Sequence, residues 1–124
     1  MKILVVDDEQ DVKTLFLQHF RREIREKLFD FSFCYSGEEA LSFLTNHEHE
    51  AILILSDINM PGMTGIELLR RIKSHYRIPP PIVMMITAYD DKERHDQAIA
   101  LGADDFLNKP LDFNSLKEKL TNLQ

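Results

Sequence analysis

Three carboxylates, a hydroxyl and an ammonium group stand directly after short apolar runs, and they are the side chains best placed to do chemistry. Asp7 and Asp8 follow Ile3–Val6, Asp57 follows Ile52–Leu55, Thr87 and Ala88 follow Ile82–Ile86, and Asn108, Lys109 and Pro110 follow Ala103–Leu107. Carboxylates brought together repel: at an effective dielectric near 20, two unit charges ~4 Å apart cost roughly 4 kcal/mol. A hard cation removes that conflict. Oxygen donors with no His or Cys beside them favour Mg²⁺, which keeps several waters and accepts phosphate oxygens as further ligands. Lys109 would add a compact positive charge for an anionic group next to the metal. A carboxylate in such a setting can act as a nucleophile toward phosphorus, forming an aspartyl phosphate. The first apolar run leads straight into Asp7-Asp8 with no glycine-rich phosphate loop, which argues against dinucleotide and nucleoside-triphosphate binding.

These residues meet only if the chain folds so that the ends of the apolar runs share one edge. With Phe31–Tyr35 there are five such runs, most without polar alternation, as in strands buried on both faces of a parallel sheet. Phe31–Tyr35, interrupted by Ser32, belongs nearest an edge. Helical spacing fills the gaps. Val12, Leu15, Phe16, Phe20, Ile24 and Leu28 mark a first helix, whose opposite face, Arg21 to Lys27, is mixed in charge and reads as solvated. Ser36 is placed as the N-cap of a second helix, with Glu39 closing a capping box. Ile66, Leu69 and Ile72 mark a third, which Pro79-Pro80-Pro81 separates from the next strand. A fourth spans Asp91–Leu101 and stops at Gly102; with only Ala98, Ile99 and Leu101 to bury, it should be held loosely. The last begins at Asp112 or Phe113 and packs Phe113, Leu116, Leu120 and Leu123. Strand–helix alternation repeated five times predicts an α/β fold: a doubly wound five-stranded parallel sheet flanked by five helices. In such sheets ligands bind beyond the carboxyl ends of the strands, where the residues named above stand.

The 124 residues fit one domain, and 44% apolar with 29% charged residues excludes a disordered tail. Fifteen basic against 21 acidic residues give a net charge of −6, which argues against a direct nucleic-acid surface. The single Cys34 excludes an internal disulfide framework and reads as a small buried hydrophobe. No apolar run approaches the roughly 20 residues of a membrane span, and the N-terminus has none of the features of a signal peptide, so a cytoplasmic location without membrane contact is the expectation. Asn46-His47-Glu48-His49-Glu50 reads as a surface loop rather than a metal site, and Met84 and Met85 read as core.

Asp7-Asp8, the run Ser56-Asp57-Ile58-Asn59-Met60-Pro61-Gly62-Met63-Thr64-Gly65, Thr87-Ala88 and Lys109-Pro110, in this order and at these strand ends, resemble the receiver domain of two-component response regulators. The resemblance runs from Lys2 to about Leu123. It implies a single receiver domain over 1–124 with the flavodoxin-like strand order 2-1-3-4-5. It implies that Asp57 accepts a phosphoryl group from a sensor histidine kinase, a histidine phosphotransfer protein or a small phosphodonor. Asp8, Asp57 and the backbone carbonyl of Asn59 would ligate Mg²⁺, with Asp7 assisting through water. Lys109 would pair with the phosphoryl oxygens, Thr87 would turn inward to meet them, and Phe106 would follow from an exposed to a buried position. Lys109-Pro110 is the peptide that is usually cis in receivers. Phe106 stands where many receivers carry tyrosine, so burial alone would do the coupling. Asn59 and Tyr89 occupy the two positions that line the approach of the hydrolytic water, and Tyr89 is expected to shield part of the acyl phosphate.

The function expected on this basis is a phosphorylation-dependent signalling module, not a metabolic enzyme, which catalyses only its own phosphoryl transfer and autodephosphorylation. The thinly anchored fourth helix, with the fifth strand and the last helix, is the expected readout face. A downstream effector, or an output domain lying outside this chain, would receive the signal. A haloacid-dehalogenase-like phosphatase shares the aspartyl nucleophile, Mg²⁺, Thr and Lys. Against it, Asn59 stands where the second carboxylate belongs, no cap insertion is present, and the nucleophile follows the third strand instead of the first. A constitutive interaction platform would have no reason to keep a costly acidic cluster.

Overall fold

The computed structural model describes residues 1–75, 78–88 and 91–123. Five strands, β1 (Lys2–Val6), β2 (Asp30–Cys34), β3 (Ile52–Asp57), β4 (Ile82–Thr87) and β5 (Asp105–Asn108), form one parallel sheet in the order β2-β1-β3-β4-β5. β2 is an edge strand, as its mixed composition predicts, and β3 is buried along its whole length. Successive strand residues face opposite layers. Leu4, Val6, Ile54, Val83 and Met85 pack with Ala40, Leu44, Leu68, Leu69, Ile72 and Ala98 on one face. Ile3, Val5, Leu53, Leu55, Met84, Ile86 and Leu107 pack with Phe16, Phe20, Leu116 and Leu120 on the other. The fold is therefore doubly wound, with helices on both faces.

Among the described residues six helices flank the sheet where five are expected: α1 (Asp11–His19), α2 (Arg21–Arg25), α3 (Gly37–Thr45), α4 (Gly65–Ser74), α5 (Lys92–Ala100) and α6 (Phe113–Asn122). The extra one arises because the first expected helix breaks at Phe20, whose φ of −110° and ψ of 20° leave the helical region. Phe16 and Phe20 are both fully buried, and Phe20 meets Phe29 and Phe31. Burying both rings outweighs helical regularity at that point. The chain leaves α2 through Lys27 at a φ of 61°, so Leu28 lies past the helix and is exposed, as are Leu15 on α1 and Leu123 beyond α6.

The caps fall where the residue types place them. The Ser36 hydroxyl accepts from the Glu39 N–H (3.1 Å), while the Glu39 carboxylate reaches back to the Tyr35 N–H (2.6 Å), one residue earlier than in the usual capping box. Asp91 caps α5, and Asp112 caps α6 by accepting from the Asn114 and Ser115 N–H groups. Gly102 takes a φ of 96° just past α5, which lets the Ala103 N–H reach back to the Ala98 carbonyl (3.0 Å). On α5 only Ala98 is buried, and Ile99 is exposed, so this helix has the slight anchorage its composition predicts. Cys34, Met84 and Met85 are buried in the core. In the 46–50 loop His47 stacks on Phe43 with ring centroids 4.0 Å apart, and among the described residues this loop forms no cluster able to hold a metal. No described helix is long and apolar enough to cross a membrane.

Candidate functional site

The carboxyl ends of β1, β3, β4 and β5 converge, as parallel pairing in this order requires. Asp57 closes β3 and Thr87 closes β4; Asp7 is the first residue past β1, and Lys109 the first past β5. Backbone bonds tie these ends together. The Asp7 N–H donates to the Cys34 carbonyl (3.1 Å), the Ile58 N–H to Ile86 (3.1 Å), and the Lys109 N–H to Thr87 (3.0 Å). One carboxylate oxygen each from Asp7, Asp8 and Asp57 lie within 4.8 Å of one another. Asp57 is 2% exposed and Asp7 6%, while Asp8 is open to solvent. The Lys109 ammonium donates to Asp57 Oδ2 at 2.8 Å, and the Asn59 N–H donates to Asp57 Oδ1 at 3.2 Å. Asp7 Oδ1 accepts from the Glu9 N–H at 2.9 Å. The Lys109–Pro110 peptide is cis.

The electrostatics of this cluster are those of an acidic cup with one cationic wall. Burial pushes the Asp7 carboxyl up to about 6, and the charges of Asp57 and Glu9 push the same way against the Glu9 N–H and Lys109. Burial pulls Lys109 down, but its hydrogen bond to Asp57 and the negative charges of Asp57, Asp7 and Glu9 outweigh that and hold it above the ordinary lysine value. A carboxyl pushed up within a set of oxygen-only donors, one of them solvent-facing, fits a hard divalent cation.

Thr87 is buried (3% exposed), and its hydroxyl donates to the Ala88 carbonyl at 3.3 Å rather than to Asp57. Phe106 is half-buried against the same core as Met85. Its register partner is Met85, and Asn108 pairs with Thr87, so Phe106 and Thr87 are diagonal neighbours on one face of the sheet. Asn59 is exposed beside the acidic cluster. Tyr89 lies outside the described residues.

One residue of the site has a role that side-chain chemistry does not announce. Gly65 begins α4 with its N–H on the Ile58 carbonyl (2.8 Å), and a Cβ there would stand 2.1 Å from the Asp57 carbonyl oxygen and 2.7 Å from the Ile58 Cα. Neither obstacle is a flexible side chain. Gly65→Ala is therefore expected to shift α4 or the Asp57–Ile58 peptide and to lower stability by about 3 kcal/mol, the upper end for overpacking. Urea unfolding checks the stability. An unchanged midpoint would mean that the backbone yields freely at this point. Glu38 braces the same loop, its Oε1 accepting from the Met63 N–H at 3.3 Å.

Fold and site together define a class: a doubly wound α/β domain whose carboxyl-end crevice is an acidic cup faced by lysine. Residues 3–121 match the model of the response regulator receiver domain family. The chain is 31% identical over 121 residues to a cyclic di-GMP phosphodiesterase of Thermotoga maritima, covering 98% of this chain and 30% of that protein. It is 34% identical over 122 residues to the 3',5'-cyclic-nucleotide phosphodiesterase regA of Dictyostelium discoideum, covering 97% of this chain and 15% of that protein. It thus spans less than a third of either curated relative. The crystal structure of a response regulator receiver protein from Pseudomonas putida superposes with a TM-score of 0.80 at 27% identity, covering 99% of this chain and 96% of that one. The chain belongs to the response regulator receiver domain family, the phosphoacceptor signalling modules of two-component systems.

Proposed function

We propose that Asp57 is the phosphoacceptor of a receiver domain extending over 1–124 and that Mg²⁺ is its cofactor. The observation that carries this reading is the buried Asp57 carboxylate, held between the Lys109 ammonium and the Asn59 N–H and set beside Asp7 and Asp8. Asp8, Asp57 and the Asn59 carbonyl would hold the cation, with Asp7 acting through water. Bound there, it offsets the negative charge of the carboxylates and of an incoming phosphoryl group.

An Asp57 carboxylate oxygen attacks the phosphorus of a phosphohistidine presented by a sensor kinase or phosphotransfer protein. The P–N bond breaks, its electron pair stays with the imidazole, and the released ring takes a proton from solvent. Lys109 moves from the carboxylate to the phosphoryl oxygens. Thr87 exchanges its contact with Ala88 for one with the same oxygens, and Phe106 moves further into the space that Thr87 vacates. The readout is the face made by α5, β5 and α6, because α5 has the least apolar anchorage. Tyr89 and Asn59 tune how readily water reaches the acyl phosphate. A downstream effector or an output domain outside this chain receives the signal. The protein acts in the cytoplasm, without direct contact with nucleic acid or membrane, and it turns over no metabolite.

Incubation with acetyl phosphate and Mg²⁺ should add one phosphoryl group, removable by hydroxylamine as an acyl phosphate, with no sustained turnover of phosphomonoesters. Multiple turnover of a phosphomonoester would instead favour the haloacid-dehalogenase-like reading. Absence of both uptake and turnover would exclude both.

A further inference from the structure

The switch proposed above needs Phe106 to move, and one ring contact holds it where it is. The His95 ring of α5 lies against the Phe106 ring with centroids 3.9 Å apart and planes tilted by 33°. The Phe106 backbone is fixed from the other side: its N–H donates to Asp105 Oδ1 (2.8 Å), and Asp105 Oδ2 accepts from Lys119 Nζ of α6 (2.8 Å). The side chain is then the coordinate left to move. Phe106 has no hydroxyl, so ring contact and burial alone decide where it rests. His95 sits in the first half of α5, its N–H donating to the Asp91 carbonyl (3.1 Å), on a helix whose one buried residue is Ala98.

We propose that His95 is a positioning residue of the switch: its imidazole latches Phe106 in the half-buried place seen here and thereby sets how readily the site passes to its phosphorylated arrangement. The inference rests on the phosphoacceptor reading of Asp57. Phe106 is the diagonal sheet neighbour of Thr87, so an inward shift of Phe106 must either break the ring contact or pull the start of α5 with it. The first course opposes activation by the strength of the stack; the second transmits activation to α5. Removing the ring removes the opposition. An aromatic pair of this kind biases a two-state equilibrium by about two- to tenfold.

Beryllofluoride with saturating Mg²⁺, added to the full ¹⁵N-labelled chain and followed at the Thr87 and Phe106 amides, is the test. His95→Ala is expected to reach half-saturation at about two- to tenfold lower beryllofluoride than wild type. His95→Phe, which restores a ring, should return close to the wild-type value, a rescue that a merely space-filling role would not require. If His95→Ala fails to fold, His95→Leu carries the same expectation, since it fills space without a stacking face. An unchanged or raised midpoint in the ringless variants, or a His95→Phe protein that behaves like them, overturns the latch. Silence of the wild type toward beryllofluoride overturns the phosphoacceptor reading itself, and it is recognised because wild type and variants are then equally silent.

Discussion

Asp57→Asn is expected to abolish phosphoryl uptake completely while leaving a folded protein close to wild type in stability or above it. The acceptor reading rests on one oxygen nucleophile, and an amide at the same place is too weak a nucleophile to replace it. The fold, by contrast, has little need of the charge. Asparagine keeps the shape and the carbonyl oxygen that the Asn59 N–H requires at 3.2 Å. Lys109 loses its partner, but its side chain is 39% exposed, so water takes the place of the carboxylate. Asp7 loses a repelling neighbour. Breaking a buried ion pair is strongly destabilising when a buried charge is left behind, and here the charge left behind is solvated. Stability of the metal-free variant at pH 7 should therefore stay within about 1 kcal/mol of wild type or exceed it. Intact mass after acetyl phosphate treatment, paired with urea unfolding, reads both halves. A phosphorylated Asp57→Asn protein would move the acceptor to another side chain, and a loss of several kcal/mol would make Asp57 a structural residue first.

The parts of this molecule that were legible in the sequence are those where the residue type alone carries the constraint. Unbroken short apolar runs such as Ile52–Leu55, alternating with helical patterns, read as strands buried on both faces, and the carboxylates following them must then share an edge. Ser36 and Gly102 act through their own oxygen or their own backbone freedom, so their places at helix ends were readable too. What stayed hidden depends on who the neighbour is. The helix break at Phe20 follows from ring packing against Phe29 and Phe31, partners on another element that periodicity does not register. The exposure of Leu15 and Leu28 has the same origin, since the helical pattern reports a face but not how far the sheet extends beneath it. Gly65 belongs to a recognisable run, yet its reason is an approach of 2.1 Å to the Asp57 carbonyl that only the assembled backbone reveals. His95 is one histidine of five in the sequence, and only the placement of α5 over β5 singles it out.

The acidic cup should also make the metal-free protein lose stability as pH rises through the range in which most proteins gain it. Asp7 is held at about 6, above the ordinary aspartate value of 3.8, chiefly by burial. Between those two values the folded chain keeps a proton that the unfolded chain has released. Unfolding then releases that proton, and stability falls as pH rises from about 4 to about 6, after which the loss is complete. A shift of this size corresponds to at most about 3 kcal/mol. The residues that titrate elsewhere are common to wild type and Asp7→Asn, so the difference between the two proteins isolates the effect. With EDTA present, Asp7→Asn should match wild type near pH 4 and exceed its stability by a few kcal/mol at pH 7. Mg²⁺ works in the opposite direction, because a cation that binds only the folded, deprotonated cup adds stability with concentration. Its apparent affinity for wild type should therefore weaken as pH drops through about 6, where proton and metal compete for the same carboxylate. Urea unfolding at several pH values with and without Mg²⁺ reads each of these. Parallel pH profiles for wild type and Asp7→Asn in EDTA would show that Asp7 titrates in the folded protein as it does in the unfolded chain, its burial offset by Lys109 and the Glu9 N–H without a cation.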